Sequence, residues 1–251
     1  MWSFETGAEN SLHTDLTEAI GEVREQVDSG QHTDPATAED SLHENFGKVE
    51  PVMVPYETVS TKEVNVQEEI VGKHNALRRG VIPKARNMLK MEWNENAAQN
   101  ARNWSKECKQ EHSPQFKRVI TDSLCGENLL FASHPLSWSD VIQMWYDESK
   151  NFTYGSGPTK PESVVGHYTQ TVWATSYMIG CGVTHCPNQE TFKYFYTCHY
   201  CHGGNNVATL ATPYKKGIPC GDCPGQCEDG LCSCLREALT PSFPPTCLPR
   251  D

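Results

Sequence analysis

The residues best equipped for chemistry in this 251-residue chain are its twelve cysteines, none of which precedes Cys108 and six of which fall between Cys220 and Cys247. Two stretches, Cys198-His199-Tyr200-Cys201-His202 and Cys220-Gly221-Asp222-Cys223, have the C-x-x-C spacing of tetrahedral metal sites, where thiolates would hold zinc in a closed ribbon. The competing chemistry is disulfide formation, which an even cysteine count supports and a reducing compartment prevents. The crowding after Cys220, in a segment poor in apolar residues, suits a small knot unable to build its own core. Six disulfides made in an oxidising compartment are therefore the main expectation, with zinc at these cysteines the alternative. Two glycosylation sequons, Asn103-Trp104-Ser105 and Asn151-Phe152-Thr153, are consistent with that route. No H-E-x-x-H run occurs, and no serine or cysteine nucleophile is paired with a base, so an enzyme is not expected.

Local patterning indicates the elements that must position these groups. Val66, Ile70, Val71 and Leu77 recur at helical spacing through Val66 to Arg79, with Pro83 as the stop. A second helix should start from an Asn94 cap and run through Ala97, Ala98, Ala101, Trp104 and Cys108. A third should start from Ser137 or Ser139 and run through Val141, Ile142, Trp145 and Tyr146. Val165 to Ala174, Tyr177 to Val183 and Thr191 to Tyr200 are rich in Val, Tyr, Thr, Phe and Trp and read as strands. Helices first and strands later predict one α+β domain.

Charge marks a seam near the N-terminus. Residues 1–50 carry a net charge of −10 out of the whole chain's −11. This segment is too polar to offset its ordering entropy, apart from a short helix around Leu16 to Val27, and is expected to be a solvated tail. Met1-Trp2-Ser3-Phe4-Glu5 leads into acidic sequence and not into the apolar run of a secretory signal. No transmembrane segment is expected anywhere. With a net charge near −1 beyond the tail and no basic cluster, nucleic acid is not an expected partner, and Arg78-Arg79 reads as a solvated helix end.

Gly166-His167-Tyr168-Thr169-Gln170-Thr171-Val172-Trp173 and Phe195-Tyr196-Thr197-Cys198-His199-Tyr200-Cys201-His202-Gly203-Gly204-Asn205 resemble the two signature motifs of the cysteine-rich secretory protein, antigen 5 and pathogenesis-related 1 (CAP) superfamily. His74-Asn75-x-x-Arg78, Met91-x-Trp93, Cys125-Gly126-Glu127-Asn128 and Trp145-Tyr146-Asp147-Glu148 stand in the family's order. The stretch after Pro213-Tyr214 resembles the hinge of the cysteine-rich secretory branch. Segments such as Cys198-His-Tyr-Cys look most like its mammalian epididymal type.

The resemblance implies a three-layer α-β-α CAP sandwich followed by a small disulfide-rich hinge. The corresponding divisions are an acidic extension over 1–60, the CAP domain over 61–212, the hinge over 213–234 and a proline-rich tail over 235–251. It implies a cleft tetrad of His112, Glu127, Glu148 and His167, in which His112 and His167 would hold a weak Zn2+. It further implies disulfides of Cys108 with Cys186, Cys125 with Cys201, Cys181 with Cys198, Cys220 with Cys227 and Cys223 with Cys232. Relatives carry a further cysteine-rich module implicated in channel regulation. The last 17 residues here are too short and proline-rich to fold as one, so Cys234 would either pair with Cys247 or stay free.

The function implied is that of a secreted, extracellular, non-enzymatic protein. It would act on the sperm surface in maturation, capacitation or gamete interaction by binding a surface protein or lipid. A carrier of sterols or fatty acids is the alternative, with the aromatic stretch Phe192, Tyr194, Phe195 and Tyr196 a candidate contact. A metal-dependent hydrolase at the tetrad, with Glu127 or Glu148 as base, is a second alternative.

Overall fold

The computed structural model describes residues 53–121 and 123–233. The acidic N-terminal segment, including the helix expected around Leu16 to Val27, the C-terminal tail, Cys234 and Cys247 lie outside the described residues. In chain order the elements are α1 (Val64–Gly80), β1 (Glu92–Trp93), α2 (Glu95–Ser105), β2 (Val119–Ile120), β3 (Ser123–Leu124), β4 (Gly126–Ala132) and α3 (Trp138–Asp147). These are followed by β5 (Phe152–Thr153), β6 (Gly157–Pro158), α4 (Gly166–Thr171), β7 (Met178–His185), β8 (Tyr194–Cys201), β9 (Cys227–Glu228) and β10 (Leu231–Cys232).

The central sheet has the order β1-β7-β8-β4, with β1 parallel to β7 and the other neighbours antiparallel. Side chains alternate between its two faces. On one face Ile179, Cys181, Tyr196, Cys198 and Tyr200 pack against Ile70 of α1 and Trp138, Ile142 and Trp145 of α3, forming the largest apolar cluster. The other face carries Gly180 and Gly182, where a Cβ would lie 2.0 Å from Ala98 N and 2.5 Å from Arg102 Cα. Only glycine lets α2 rest this closely on β7, and α2 presents the small residues Ala97, Ala98 and Ala101 to the contact. The result is an α+β fold of three layers, with α2 on one side of the sheet and α1 and α3 on the other.

The expected helix starts are built from side chains. Asn94 Oδ1 accepts from Ala97 N at 3.0 Å, and Ser137 Oγ accepts from Asp140 N at 3.1 Å. Helix α2 ends at Ser105, short of the expected Cys108, whose φ of 53° lies in the left-handed region, and two further expectations need correction. The stretch expected as a strand over Val165 to Ala174 contains helix α4 over Gly166–Thr171, and β4 forms where no strand was expected. Local β-propensity is overridden at α4 because the Glu148 carboxylate accepts from His167 N at 2.9 Å and Tyr168 N at 3.1 Å. The Thr169 and Thr171 hydroxyls also donate back to Val165 O and His167 O.

Arg78 is likewise not a solvated helix end. It is 1% exposed and donates to the carbonyls of Leu89, Thr171, Trp173, Ala174 and Ser176. Burial pulls its guanidinium down to about 9, and the ring of acceptors stabilises the charge that remains. Asn75 pairs twice with the Met91 backbone, and His74 bridges Ile70 O and the Tyr200 hydroxyl. Burial lowers His74 to about 3, so its neutral ring serves as a structural link. The His74-Asn75-x-x-Arg78 motif is therefore scaffold.

The ten described cysteines form the disulfides Cys108–Cys186, Cys125–Cys201, Cys181–Cys198, Cys220–Cys227 and Cys223–Cys232. Every cysteine of both C-x-x-C pairs is consumed, which overturns the zinc-ribbon alternative. Residues 213–233 fold back onto the segment between α1 and β1. Cys232 N donates to Met88 O, Lys90 N donates to Cys232 O, and Leu231 and Tyr214 pack with Val81, Ala85 and Met88.

Candidate functional site

Two carboxylate–histidine pairs lie beside β4, one of the two edge strands of the sheet. In the first, Glu127 on β4 stands directly opposite His199 on β8, which in turn faces Gly180 on β7. All three positions share the α2 face. Glu127 Oε1 accepts from His112 Nδ1 at 2.7 Å, Ser113 N at 2.9 Å and Arg118 Nη1 at 3.2 Å. Its Oε2 accepts from Ser113 Oγ at 2.6 Å and His199 Nε2 at 3.0 Å. Burial alone would raise this carboxyl. The hydrogen bonds and electrostatic attraction of His112 and His199, together with Ser113, outweigh it and hold Glu127 well below the usual carboxylate range.

In the second pair, Glu148 at the end of α3 accepts from His167 Nδ1 at 2.6 Å through one oxygen and from the α4 amides through the other. The His167 ring stacks on Trp145, and its carbonyl accepts from Asn128 Nδ2 at 3.0 Å. Because Asn128 follows Glu127 in the strand, the two pairs share β4 as a common support. The structure thus joins His112 to Glu127 and His167 to Glu148, and β4 connects the halves.

A carboxylate only accepts hydrogen bonds, so Nδ1 is the donor in both pairs, and in the neutral ring Nε2 carries the lone pair. This is the arrangement that orients imidazole toward a metal and raises its basicity. Among the described residues no group of three or more His, Cys, Asp or Glu side chains stands close enough to enclose an ion. The four tetrad side chains therefore do not form an enclosed metal site, and the donors this chain would offer Zn2+ are the two imidazoles of His112 and His167, one in each pair. As a general base Glu127 is poorly equipped, because five donors occupy its oxygens. Sequence reasoning missed His199, Ser113 and Arg118, since only strand register and the return of the 112–118 loop bring them to Glu127.

A family model described as "CAP: Cysteine-rich secretory protein family" matches residues 71–200. The chain belongs to the cysteine-rich secretory protein family. It is 56% identical over 181 residues to cysteine-rich secretory protein 2 of Cavia porcellus, covering 71% of this chain and 74% of that one. Identity is 52% over 186 residues to cysteine-rich secretory protein 3 of Equus caballus, covering 73% and 76% respectively. Among solved structures, Na-ASP-1 superposes with a TM-score of 0.56 at 30% identity, over 66% of this chain and 46% of that one. The crystal structure of NaASP2 with Zn2+ also gives 0.56, at 26% identity, over 68% and 96%.

Other surfaces of this cysteine-rich secretory protein bear on ligand binding. A recess of about 240 Å³ is lined by Gly80, Ile82, Tyr146, Ser149, Phe152, Tyr154 and Tyr168. The aromatic stretch singled out from sequence behaves differently. Phe195 stacks on Phe131, the Tyr196 hydroxyl is tied to Leu136, and neither they nor Phe192 and Tyr194 line the recess. Asn103 on α2 and Asn151 after α3 are both exposed. No described helix is long and apolar enough to cross a membrane.

Proposed function

We propose that this chain is a secreted, non-enzymatic cysteine-rich secretory protein that acts by binding at the sperm surface during maturation, capacitation or gamete interaction. The observation that carries the binding reading is the occupancy of both tetrad carboxylates. Glu127 and Glu148 commit their oxygens to orienting His112, His167 and the α4 amides, so the site offers oriented imidazoles but no free carboxylate base. The epididymal-like segments support the sperm-surface assignment, and the disulfides support an oxidising, extracellular location. Zn2+ at His112 and His167 would act as a weak bridge or stabiliser of the cleft. That NaASP2 was crystallographically characterised with Zn2+ supports this choice of ion. Purified protein should bind sperm saturably at micromolar concentration, and absence of saturable binding would overturn the reading.

The recess favours a second reading, an apolar-ligand carrier. Its volume of about 240 Å³ lies below the roughly 300–1,000 Å³ of drug-sized sites, so it suits part of a lipid chain better than an enclosed sterol. Displacement of a fluorescent fatty acid, weakened by Tyr168→Ala, would support it. Equal displacement by wild type and variant would remove the recess from consideration.

A further inference from the structure

His199 is a fully buried imidazole with a single hydrogen bond. Its Nε2 meets Glu127 Oε2 at 3.0 Å, while its Nδ1 is buried without a partner. Burying a polar ring with one nitrogen unpaired costs free energy that an apolar side chain would avoid. The one interaction offsetting that cost is made to Glu127, whose other oxygen holds His112. The terminal torsion of a glutamate is soft, so a carboxylate holds a direction only when both oxygens are tied. On Oε2 the ties are His199 Nε2 at 3.0 Å and the Ser113 hydroxyl at 2.6 Å, and of the five donors to this carboxylate only His199 comes from outside the 112–118 segment. His199 approaches from β8, opposite Glu127 in the sheet and beneath α2, where strand register prevents it from following the loop that carries His112 and Ser113.

We propose that His199 is the positioning residue of the first half of the cleft. By locking the Glu127 carboxylate it fixes the His112 ring with Nδ1 tied and Nε2 presented, and so sets how strongly that half holds a divalent borderline metal ion. The metal part rests on the Zn2+ reading above, whereas the ring-fixing part does not. His167 is a built-in control, because Glu148 is held by the amides of α4 and makes no contact with His199.

The test compares wild type with His199→Phe, His199→Asn and His199→Gln in the full chain. Phenylalanine lacks a donor, the asparagine amide falls short of Glu127, and the glutamine amide reaches the position of Nε2. Ring 15N shifts of His112 and His167 in metal-free protein report the tautomers, and Co2+ titration reports affinity. His199→Phe or, should that variant not fold, His199→Asn should move His112 toward the Nε2–H tautomer and leave His167 unchanged. Co2+ affinity should fall by about 10-fold or more, as removal of such supporting partners does elsewhere. His199→Gln should restore the His112 signals and return affinity to within about threefold of wild type. The proposal is overturned if His112 keeps its wild-type tautomer in both donor-deficient variants. It is equally overturned if His112 and His167 change together, or if Gln behaves as Phe does. Wild type that takes up no Co2+ would sink the metal reading, while a His112 tautomer that still depends on residue 199 would sustain the positioning role.

Discussion

The two carboxylate–histidine pairs reach the same geometry by different means. Glu127, with its side chain fully buried, is held by side chains from a loop and a neighbouring strand, whereas Glu148, 17% exposed, is held largely by backbone amides. A backbone anchor exists whenever α4 forms. A side-chain anchor exists only while Ser113, Arg118 and His199 all converge. The Glu127 half is therefore the more sensitive to substitution, even though its His112 ring is the more exposed, at 60% against 26% for His167.

The largest test of this contrast removes each carboxylate. Glu127→Ala leaves the buried His199 and Ser113 and the half-buried Arg118 without their acceptor and should cost about 3–5 kcal/mol in denaturant unfolding. Glu148→Ala should cost about 1–2 kcal/mol, the scale of a lost helix cap. Equal losses would break the comparison. Next in size, replacing Cys125 and Cys201 together by Ser should cost about 2–4 kcal/mol, because that bridge ties the start of β4 to the end of β8 beside Glu127. Ring 15N shifts should show His112 disturbed and His167 largely preserved.

Acid probes the Glu127 anchor directly. The folded Glu127 carboxyl lies below its unfolded value of about 4.3, so the unfolded state binds more protons in that window. The stabilisation is complete above the unfolded value and is lost as pH falls toward the folded one. Denaturation midpoints measured between about pH 5 and 2 should fall less steeply in Glu127→Gln than in wild type. The smallest effect is expected from Asn103→Gln and Asn151→Gln. Both side chains are exposed, so stability should change by less than about 0.5 kcal/mol while intact mass shows whether glycan is lost.

Much of the scaffold was legible because its signals are local. The Asn94 and Ser137 caps, the apolar spacing of α1 and the β-rich runs of β7 and β8 all lie within a few residues of what they control. Helix α4 was misread because its threonines and aromatics favour strands until the distant Glu148 caps them. Strand β4 was missed because Glu127 and Asn128 look like surface residues until His199 and the Tyr200 hydroxyl are placed beside them. Arg78 misled in the same way, since its acceptors come from carbonyls at 89 and 171–176.

By itself the sequence determined the α+β class, the family, the helix starts and the residue types of the cleft, because composition, caps and motif order are properties of contiguous chain. Only the tertiary structure decided that β4 pairs with β8 in the register that sets Glu127 opposite His199, and that a loop and a helix end aim two imidazoles from opposite supports. Those outcomes depend on contacts between segments some 15 to 72 residues apart, and a linear pattern carries no record of which polar groups will meet once the sheet has closed.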